Sequence, residues 1–394
     1  MKILMINSVC GILSTGRICT DLALELEKRG HNVKIAYGRK KVPSEYERFA
    51  VRIGTDSDLF FHGIRARLTD GSGWGSEKAT KKFIKWIAEY NPDVIHLHNL
   101  HGYYINVEIL FNFLRNFSKK IIWTLHDCWP FTGHAAYCDV AGCTEWMVGC
   151  SRCINKYDYP FSFVDKSFYN WRRKKELFQG IKDMKIITPS SWLADLVKKS
   201  FLSDYDVSVI NNGINVEKFK RTTIIPVGLD EKILKKNIVV GVASEWSNRK
   251  GLRDFIKLSQ MLDDRYQIIL IGLNKKQLLL LPKEIIGKGK TNSIEELVQY
   301  YSLADVFVNP TYEDNYPTTN LEAISCGVPV ITYDTGGSSE SAKHYGCVIP
   351  KGDLIALSKA IMNYKEIKEC KKISKLRNFS RDNMIKKYIS AYNI

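Results

Sequence analysis

The opening forty residues impose a pattern that few folds accept. Residues 2–7 form a short apolar run, followed by a loop carrying Gly11 and Gly16. Residues 18–29 have helical spacing, with Leu22, Ala23 and Leu26 on one face and Gly30 as a stop signal. Residues 32–37 are a second apolar run. Strand, glycine-bearing turn, helix and strand make a βαβ unit, and such units build parallel sheets.

The alternation continues along the chain. Helices are predicted at 78–90 and 107–116, and strands at 93–98, 120–125 and 185–189, with a helix ending over 195–201. A second series opens with a strand at 238–242. It runs through helix 252–262, strand 266–272, helix 294–302, strand 306–308, helix 321–325, strand 328–333 and helix 353–364. The basic tail from Lys371 reads as helical. The least regular stretch, 211–236, separates the two series. The expectation is an α/β protein with a first Rossmann-like domain over 1–210, a second over 211–375 and a terminal segment over 376–394. Its ligand is expected at the carboxyl ends of the strands, in an interdomain cleft.

At 394 residues, each half can bury its own core. The net charge is +16, and residues 1–200 hold 30 Lys and Arg against 20 Asp and Glu, so the excess leans toward the first half. A basic balance favours phosphate-bearing partners: nucleic acid, anionic lipid or a nucleotide. The basic residues are scattered and match no nucleic-acid-binding motif, which sets that partner aside. The densest run, Arg172-Arg173-Lys174-Lys175, reads as a solvated helix face or as a contact with an anionic membrane. No leader and no apolar run of membrane-spanning length stands out, so the chain is expected in the cytoplasm.

Four places carry candidate chemistry. Gly16 and Arg17 end a loop whose backbone N–H groups and following helix suit a phosphate. His98, Asn99, His101, Tyr103 and Tyr104 crowd one predicted strand end, and His126 and Asp127 another, where they can bind sugar or steer a proton. Arg249 and Lys250 precede a helix and suit a diphosphate. The stretch 309–323 is more specific. It runs from a strand end through Asp314, Asn315 and Pro317 into a helix beginning near Thr318–Asn320, followed by Leu321 and Glu322. A Cys-rich insertion over about 128–160 includes Cys138, Cys143, Cys150 and Cys153; structural zinc, free thiols and disulfides are all open readings.

With these residues in view, the chain resembles the family 4 glycosyltransferases of the GT-B fold, in the branch that builds capsular and colanic-acid-like exopolysaccharides. The likeness runs nearly end to end. It is carried by His-Leu-His-Asn-Leu-His-Gly-Tyr-Tyr (96–104), Leu-His-Asp-Cys-Trp-Pro-Phe-Thr-Gly-His (125–134), Arg-Lys-Gly-Leu (249–252) and Pro-Thr-Tyr-Glu-Asp-Asn-Tyr-Pro (310–317).

The resemblance implies retaining transfer from a nucleotide sugar, UDP before GDP, to a glycan or lipid-linked glycan, with no catalytic metal and no cofactor. It also implies a C-terminal helix that crosses back to the first domain. The family's acidic pair falls on Asp314 and Glu322, with Asp314 standing where the family usually has Glu, and Glu313 lies one position out of spacing. Arg249 and Lys250 take the diphosphate role, Glu322 the ribose, Gly16 the donor phosphates and His126 the sugar pocket. Ala135 stands where relatives carry Cys after Thr-Gly-His, which weighs against zinc. The rival readings are another nucleotide-sugar enzyme of the same fold, such as an epimerase, and a non-catalytic sugar-binding protein.

Overall fold

Short, nearly unbroken apolar runs make central strands of parallel sheets, because helices cover both faces and no strand face meets water. The computed structural model describes residues 1–343, 345–369 and 379–393. The strands are β1 (Lys2–Ile6), β2 (Asn32–Tyr37), β3 (Ala50–Arg52), β4 (Val94–Leu97), β5 (Lys120–Thr124), β6 (Met184–Thr188) and β7 (Asp206–Val209). After these come β8 (Asn237–Val242), β9 (Tyr266–Ile271), β10 (Ile285–Lys288), β11 (Val306–Asn309), β12 (Val330–Tyr333) and β13 (Gly346–Ile349).

Among the described residues these form two sheets. The first has the order β3-β2-β1-β4-β5-β6-β7 and the second β10-β9-β8-β11-β12-β13. Every pairing is parallel, so the fold is the expected pair of Rossmann-like α/β sheets. In each sheet the chain winds outward from one strand, then returns to build the other half from the strand beside it. β1 next to β4 and β8 next to β11 are therefore topological switch points, where loops diverge and leave a crevice.

The chain divides into two units. The first comprises Met1–Ile210 together with the chain from Ile385 on, and the second comprises Asn211–Met384. The first core gathers the inner strand residues with Phe111, Trp123 and Phe178, whose rings pack 4.3–5.2 Å apart. In the second unit one apolar cluster includes Tyr301, Phe307 and Leu321, and another includes Phe255, Leu258 and Leu357.

The helix Arg381–Tyr392 starts in the second unit, and its last residues belong to the first. Tyr392 Oη lies 2.7 Å from His96 Nδ1, and Tyr388 Oη lies 3.2 Å from Thr124, which also contacts His96 Nε2 at 2.8 Å. The terminal segment thus docks through buried hydrogen bonds as well as rings. Residues 371–378 of the helix expected from Lys371 lie outside the described residues.

Several elements differ from expectation. The first helix spans Leu13–Lys28, so it starts five residues early and takes Gly16 and Arg17 into its opening turns. The helices Asp56–Thr69 and Ser167–Phe178, and the strands β3, β7, β10 and β13, are additional to the expected elements. The edge strand β7 is partly exposed along its length, which removes the pattern that marks a buried strand. Asp56–Thr69 buries only His62, Gly63 and Ala66 inward, so its apolar residues do not report its core face.

Histidine burial gives the first unit an acid sensitivity. His62 Nε2 accepts the N–H groups of Gly73 and Gly75 at 3.2 and 3.1 Å, which commits that nitrogen as an unprotonated acceptor. Burial pushes His62 down to about 4 and His96 down to about 3. An unfolded histidine binds its proton near pH 6.5, so below that value the unfolded chain holds more protons than the folded one and stability falls with pH. Each such histidine removes about 1.4 kcal/mol per pH unit until its folded pKa is reached. The expected outcome is a steady fall of the unfolding temperature in calorimetry between pH 6.5 and 4.5; a flat profile over that window would show these rings to be solvated.

Candidate functional site

Both switch points collect the residues singled out in the sequence. In the first unit, Asn7 follows β1 and its side chain ties the two crevice loops together. Its Nδ2 donates to the Val9 carbonyl at 2.8 Å and its Oδ1 accepts the Asn99 N–H at 3.3 Å. Gly16 sits in the opening turns of the helix, with its carbonyl 3.2 Å from the Gly11 N–H. A side chain at Gly16 would meet Val9 and Gly11 within about 3.4 Å, so this turn is drawn tight against the strand end. Arg17 is exposed on the same helix.

The histidines after β4 and β5 form two networks. His98 Nδ1 and His126 Nε2 lie 3.0 Å apart with their rings stacked, and His96 packs against His98 at 4.0 Å. Burial keeps these rings neutral: His126 is pushed down to about 4, and His98 is depressed by burial and by its histidine neighbours. His98 Nε2 is buried without a protein partner.

The second network runs from Asp127 through His101 to Tyr159. His101 Nε2 donates to Asp127 Oδ2 at 2.7 Å, and His101 Nδ1 lies 3.0 Å from Tyr159 Oη. Burial by itself would raise the Asp127 carboxyl, but the His101 ring and the Trp129 N–H outweigh it and hold the group below the usual carboxylate range. Such a carboxylate–imidazole–phenol chain can hold a ring in one tautomer and pass a proton along it.

Two acceptor candidates sort differently. Tyr103 adopts a φ of 68° and is partly exposed beside Tyr159 and Arg39, so it remains available. Tyr104 is a core residue: it is 2% exposed, and its hydroxyl donates to the Asn99 carbonyl at 2.8 Å.

In the second unit, Arg249 and Lys250 end the loop after β8, and Asp314 lies in the loop after β11, across the switch point. Lys250 Nζ pairs with Asp314 Oδ2, both side chains being about one-fifth exposed. Arg249 Nη1 donates to the Glu313 carbonyl at 2.7 Å, and the Arg249 carbonyl accepts the Tyr312 N–H at 2.8 Å. Glu313 itself is buried, at 7% exposure, and Asp314 reaches Lys250. Asp314, eight positions before Glu322, is thus a carboxylate that meets Lys250.

These loops meet closely enough to require glycine. A side chain at Gly251, φ 78°, would stand 2.3 Å from the Pro310 carbonyl oxygen. One at Gly336, φ 51°, would stand 2.0 Å from that of Asp314. The Gly337 N–H then donates to the same Asp314 carbonyl at 3.1 Å.

The helix Thr318–Ser325 opens directly after Pro317, and its first N–H groups have no side-chain cap. Unsatisfied helix N–H groups at a strand's carboxyl end attract anions. Glu322, inside this helix, is 6% exposed, and its Oε2 accepts the Tyr301 hydroxyl at 2.8 Å. Tyr301 was missed in the sequence; the only signal was its place on the amphipathic helix Ile294–Leu303.

Two residues expected as ligand contacts turn their side chains inward. Asn320 is fully buried and its amide is spent: Oδ1 accepts from Asn309 at 2.8 Å, while Nδ2 donates to Ser341 at 2.8 Å and Ser338 at 3.3 Å. Leu321 is fully buried in the core. Asn315 is buried, with its N–H on Asp314 Oδ1 at 3.0 Å.

The Cys-rich insertion is anchored by buried polar groups. Lys174 Nζ donates to the Trp129 and Thr132 carbonyls at 2.7 and 3.0 Å over the Trp129 ring, and His134 Nδ1 pairs with Asp70 at 2.5 Å. Lys174 therefore lies inside the protein, not on the solvated face expected for the 172–175 run. Cys138, Cys143, Cys150 and Cys153 are thiols and not disulfides, and Cys150 Sγ accepts the Gly133 N–H at 3.2 Å. Among the described residues, no three His, Cys, Asp or Glu side chains converge as metal ligands would.

Comparisons with known proteins bear on the family and the fold. Residues 15–218 match the model of Glycosyltransferase Family 4, and residues 230–382 match that of Glycosyl transferases group 1. The Escherichia coli K12 protein WcaC, named as a colanic acid biosynthesis glycosyl transferase, is 26% identical over 65% of this chain and 63% of its own length. The match thus spans less than two thirds of that relative. Sucrose-phosphate synthase from Thermosynechococcus elongatus superposes with a TM-score of 0.71 at 16% identity, covering 100% of this chain and 98% of its own. HepE of Anabaena, solved in complex with UDP, superposes at 0.66 and 15% identity over the full length of both chains.

The loop contact at Gly336 is open to direct test. Gly336→Ala is expected to destabilise the second unit by about 1–3 kcal/mol, because it combines a left-handed backbone with a carbonyl clash. Gly289→Ala, whose added carbon would meet only the Leu273 carbonyl at 3.7 Å, is expected to stay within about 0.5 kcal/mol. Equal unfolding midpoints for the two variants would show that the Gly336 contact is not maintained.

Proposed function

The chain belongs to glycosyltransferase family 4, and from that premise we propose that it transfers a hexose-type sugar from a UDP-sugar to a glycan or lipid-linked glycan in surface-polysaccharide assembly. The transfer retains the anomeric configuration, needs no catalytic metal, and takes place in the cytoplasm or at the inner face of the membrane. The observation that carries this reading is the Lys250–Asp314 pair at the second switch point, beside the uncapped helix end at Thr318. The UDP assignment draws on the UDP complex named for HepE, and the pathway on the naming of WcaC.

The chemistry follows from charge. When the sugar–phosphate bond breaks, negative charge develops on the leaving diphosphate and positive charge on the sugar ring. Arg249, Lys250 and the N–H groups at Thr318 stabilise the leaving group, which is the kind of preorganised electrostatic effect that dominates many enzymatic rate accelerations. Glu322, oriented by Tyr301, accepts the ribose hydroxyls. Asp314 accepts a sugar hydroxyl once Lys250 turns to phosphate. His126 lines the sugar pocket, and Asp127, His101 and Tyr103 serve the acceptor. The donor's own phosphate takes the acceptor proton on the same face, which gives retention.

The test is a panel of nucleotide sugars with EDTA present, reading release of nucleoside diphosphate. Release from a UDP-sugar is expected, undiminished by EDTA. In Glu322→Ala it should fall at least about 100-fold, since hydrogen bonds to a charged group contribute about 1.5–3 kcal/mol each. Full activity in that variant, or abolition by EDTA, would overturn the reading. Release from a GDP-sugar alone would replace its donor.

A further inference from the structure

The helix Asp56–Thr69 turns its large apolar side chains away from the core. At roughly 100° per residue, Phe60, Ile64, Leu68 and Phe61 share one arc of its surface, opposite the buried His62, Gly63 and Ala66. That arc faces solvent: Phe60 is 64% exposed, Phe61 67% and Leu68 57%. Arg65 and Arg67, both exposed, flank it on its two sides.

The chemistry continues beyond the helix. The Phe163 N–H donates to the Arg67 carbonyl at 2.8 Å, which sets the exposed Phe163 against the helix end. A pocket of about 440 Å³ beside it is lined by Arg65, Lys166 and Arg173 with Trp74 and Tyr169. The Arg173 guanidinium lies over the Trp74 ring at 3.9 Å. Acidic neighbours only weakly mask these cations. Glu77 reaches Arg65 at 3.2 Å and Glu108 reaches Arg173 at 2.9 Å, in pairs about half exposed that exchange readily with other anions. Asp58 is turned back into the capping box at Thr55, and Asp165 toward the Ser167 and Cys153 N–H groups.

We infer that this face of the first unit docks on an anionic phospholipid bilayer, with the Phe60–Leu68 arc entering the headgroup layer and the Arg65–Lys166–Arg173 pocket seating phosphates. An apolar stripe between basic flanks is the composition of interfacial helices, which lie in the plane of the bilayer and do not span it. Among the described residues no helix is long and apolar enough to cross a membrane, so contact by this face is lateral. The inference deepens the lipid-linked acceptor proposed above by giving it a membrane face, but it rests on surface chemistry alone and its test uses neither donor nor acceptor.

The full-length protein is floated with vesicles of phosphatidylcholine alone and of phosphatidylcholine with phosphatidylglycerol in equal parts, at low and high salt. Binding is expected to the anionic vesicles, weakened at least tenfold by high salt. The variant F60S/F61S/L68S should lose at least tenfold in vesicle affinity, and R65E/R173E should lose as much together with its salt dependence. Both should keep the wild-type unfolding temperature, because these side chains are exposed. Wild-type protein left wholly in the unbound fraction would overturn the inference, as would apolar variants that float like wild type. So would light scattering that shows wild-type dimers, monomeric F60S/F61S/L68S and no vesicle binding, since the partner would then be a second copy. Failure of flotation with UDP-sugar activity intact would leave the transferase reading standing, and the reverse result would separate the two in the other direction.

Discussion

Parallel pairing at the switch points is the constraint on which the rest of the structure depends. β1 must lie beside β4, and β8 beside β11, although long stretches of chain separate them. Each pairing forces adjacent loops to leave in opposite directions, and the crevice between them exists because of that divergence. Asn7 and the histidine loops occupy the first crevice, and Lys250, Asp314 and the start of the Thr318 helix occupy the second. The glycines at 251 and 336 follow from the same requirement. Loops from neighbouring strands return to within contact of each other, and no Cβ fits between their backbones.

Irregular segments in such a fold must still satisfy their buried polar groups. The protein does this with single side chains that each serve several backbone or side-chain partners. His62 accepts two amides of the 71–76 turn, Lys174 binds two carbonyls of the insertion, and Asn320 joins Asn309 to Ser338 and Ser341. Asp70 takes His134 on one oxygen and the Lys166 N–H on the other, at 2.9 Å. Removing any one of these would strand more than one partner, so they act as joints of the site scaffold. The insertion is ordered in this way because its buried charge and its carbonyls are matched to each other.

What could be read in advance follows from where the physical signal lies. The central strands and covered helices were legible because burial on both sides leaves unbroken apolar runs. The edge strands β3, β7 and β10 were not, because one side of each is only partly covered and the pattern fades. The 309–323 stretch stood out in the sequence, since two prolines and paired carboxylates between a strand and a helix have few structural uses. Its individual roles were harder. Asn320 looks like a ligand residue in sequence and is a buried joint, and Tyr301, which holds Glu322, carries no local mark. Cysteine spacing leaves zinc, free thiols and disulfides open, because spacing along the chain does not say how the loop is pinned, which Lys174 and Trp129 decide.

Charge shows the same limit most clearly. The run at 172–175 is the densest basic sequence in the chain, yet its members part company in the fold. Lys174 is drawn inward by carbonyls, Lys175 lies over Trp171, and Arg173 lies over Trp74 at the rim of a pocket. Helical geometry separates consecutive residues by roughly 100°, so four cations in a row cannot share one face. An electrostatic surface is made instead from residues three and four apart, or from different elements. Arg65 and Arg67 flank an apolar arc, and Lys166 and Arg173 come to Arg65 from another segment. The net charge of +16 therefore favours an anionic partner without locating it, and the proposed location rests on the helix Asp56–Thr69, whose large apolar side chains point away from the core.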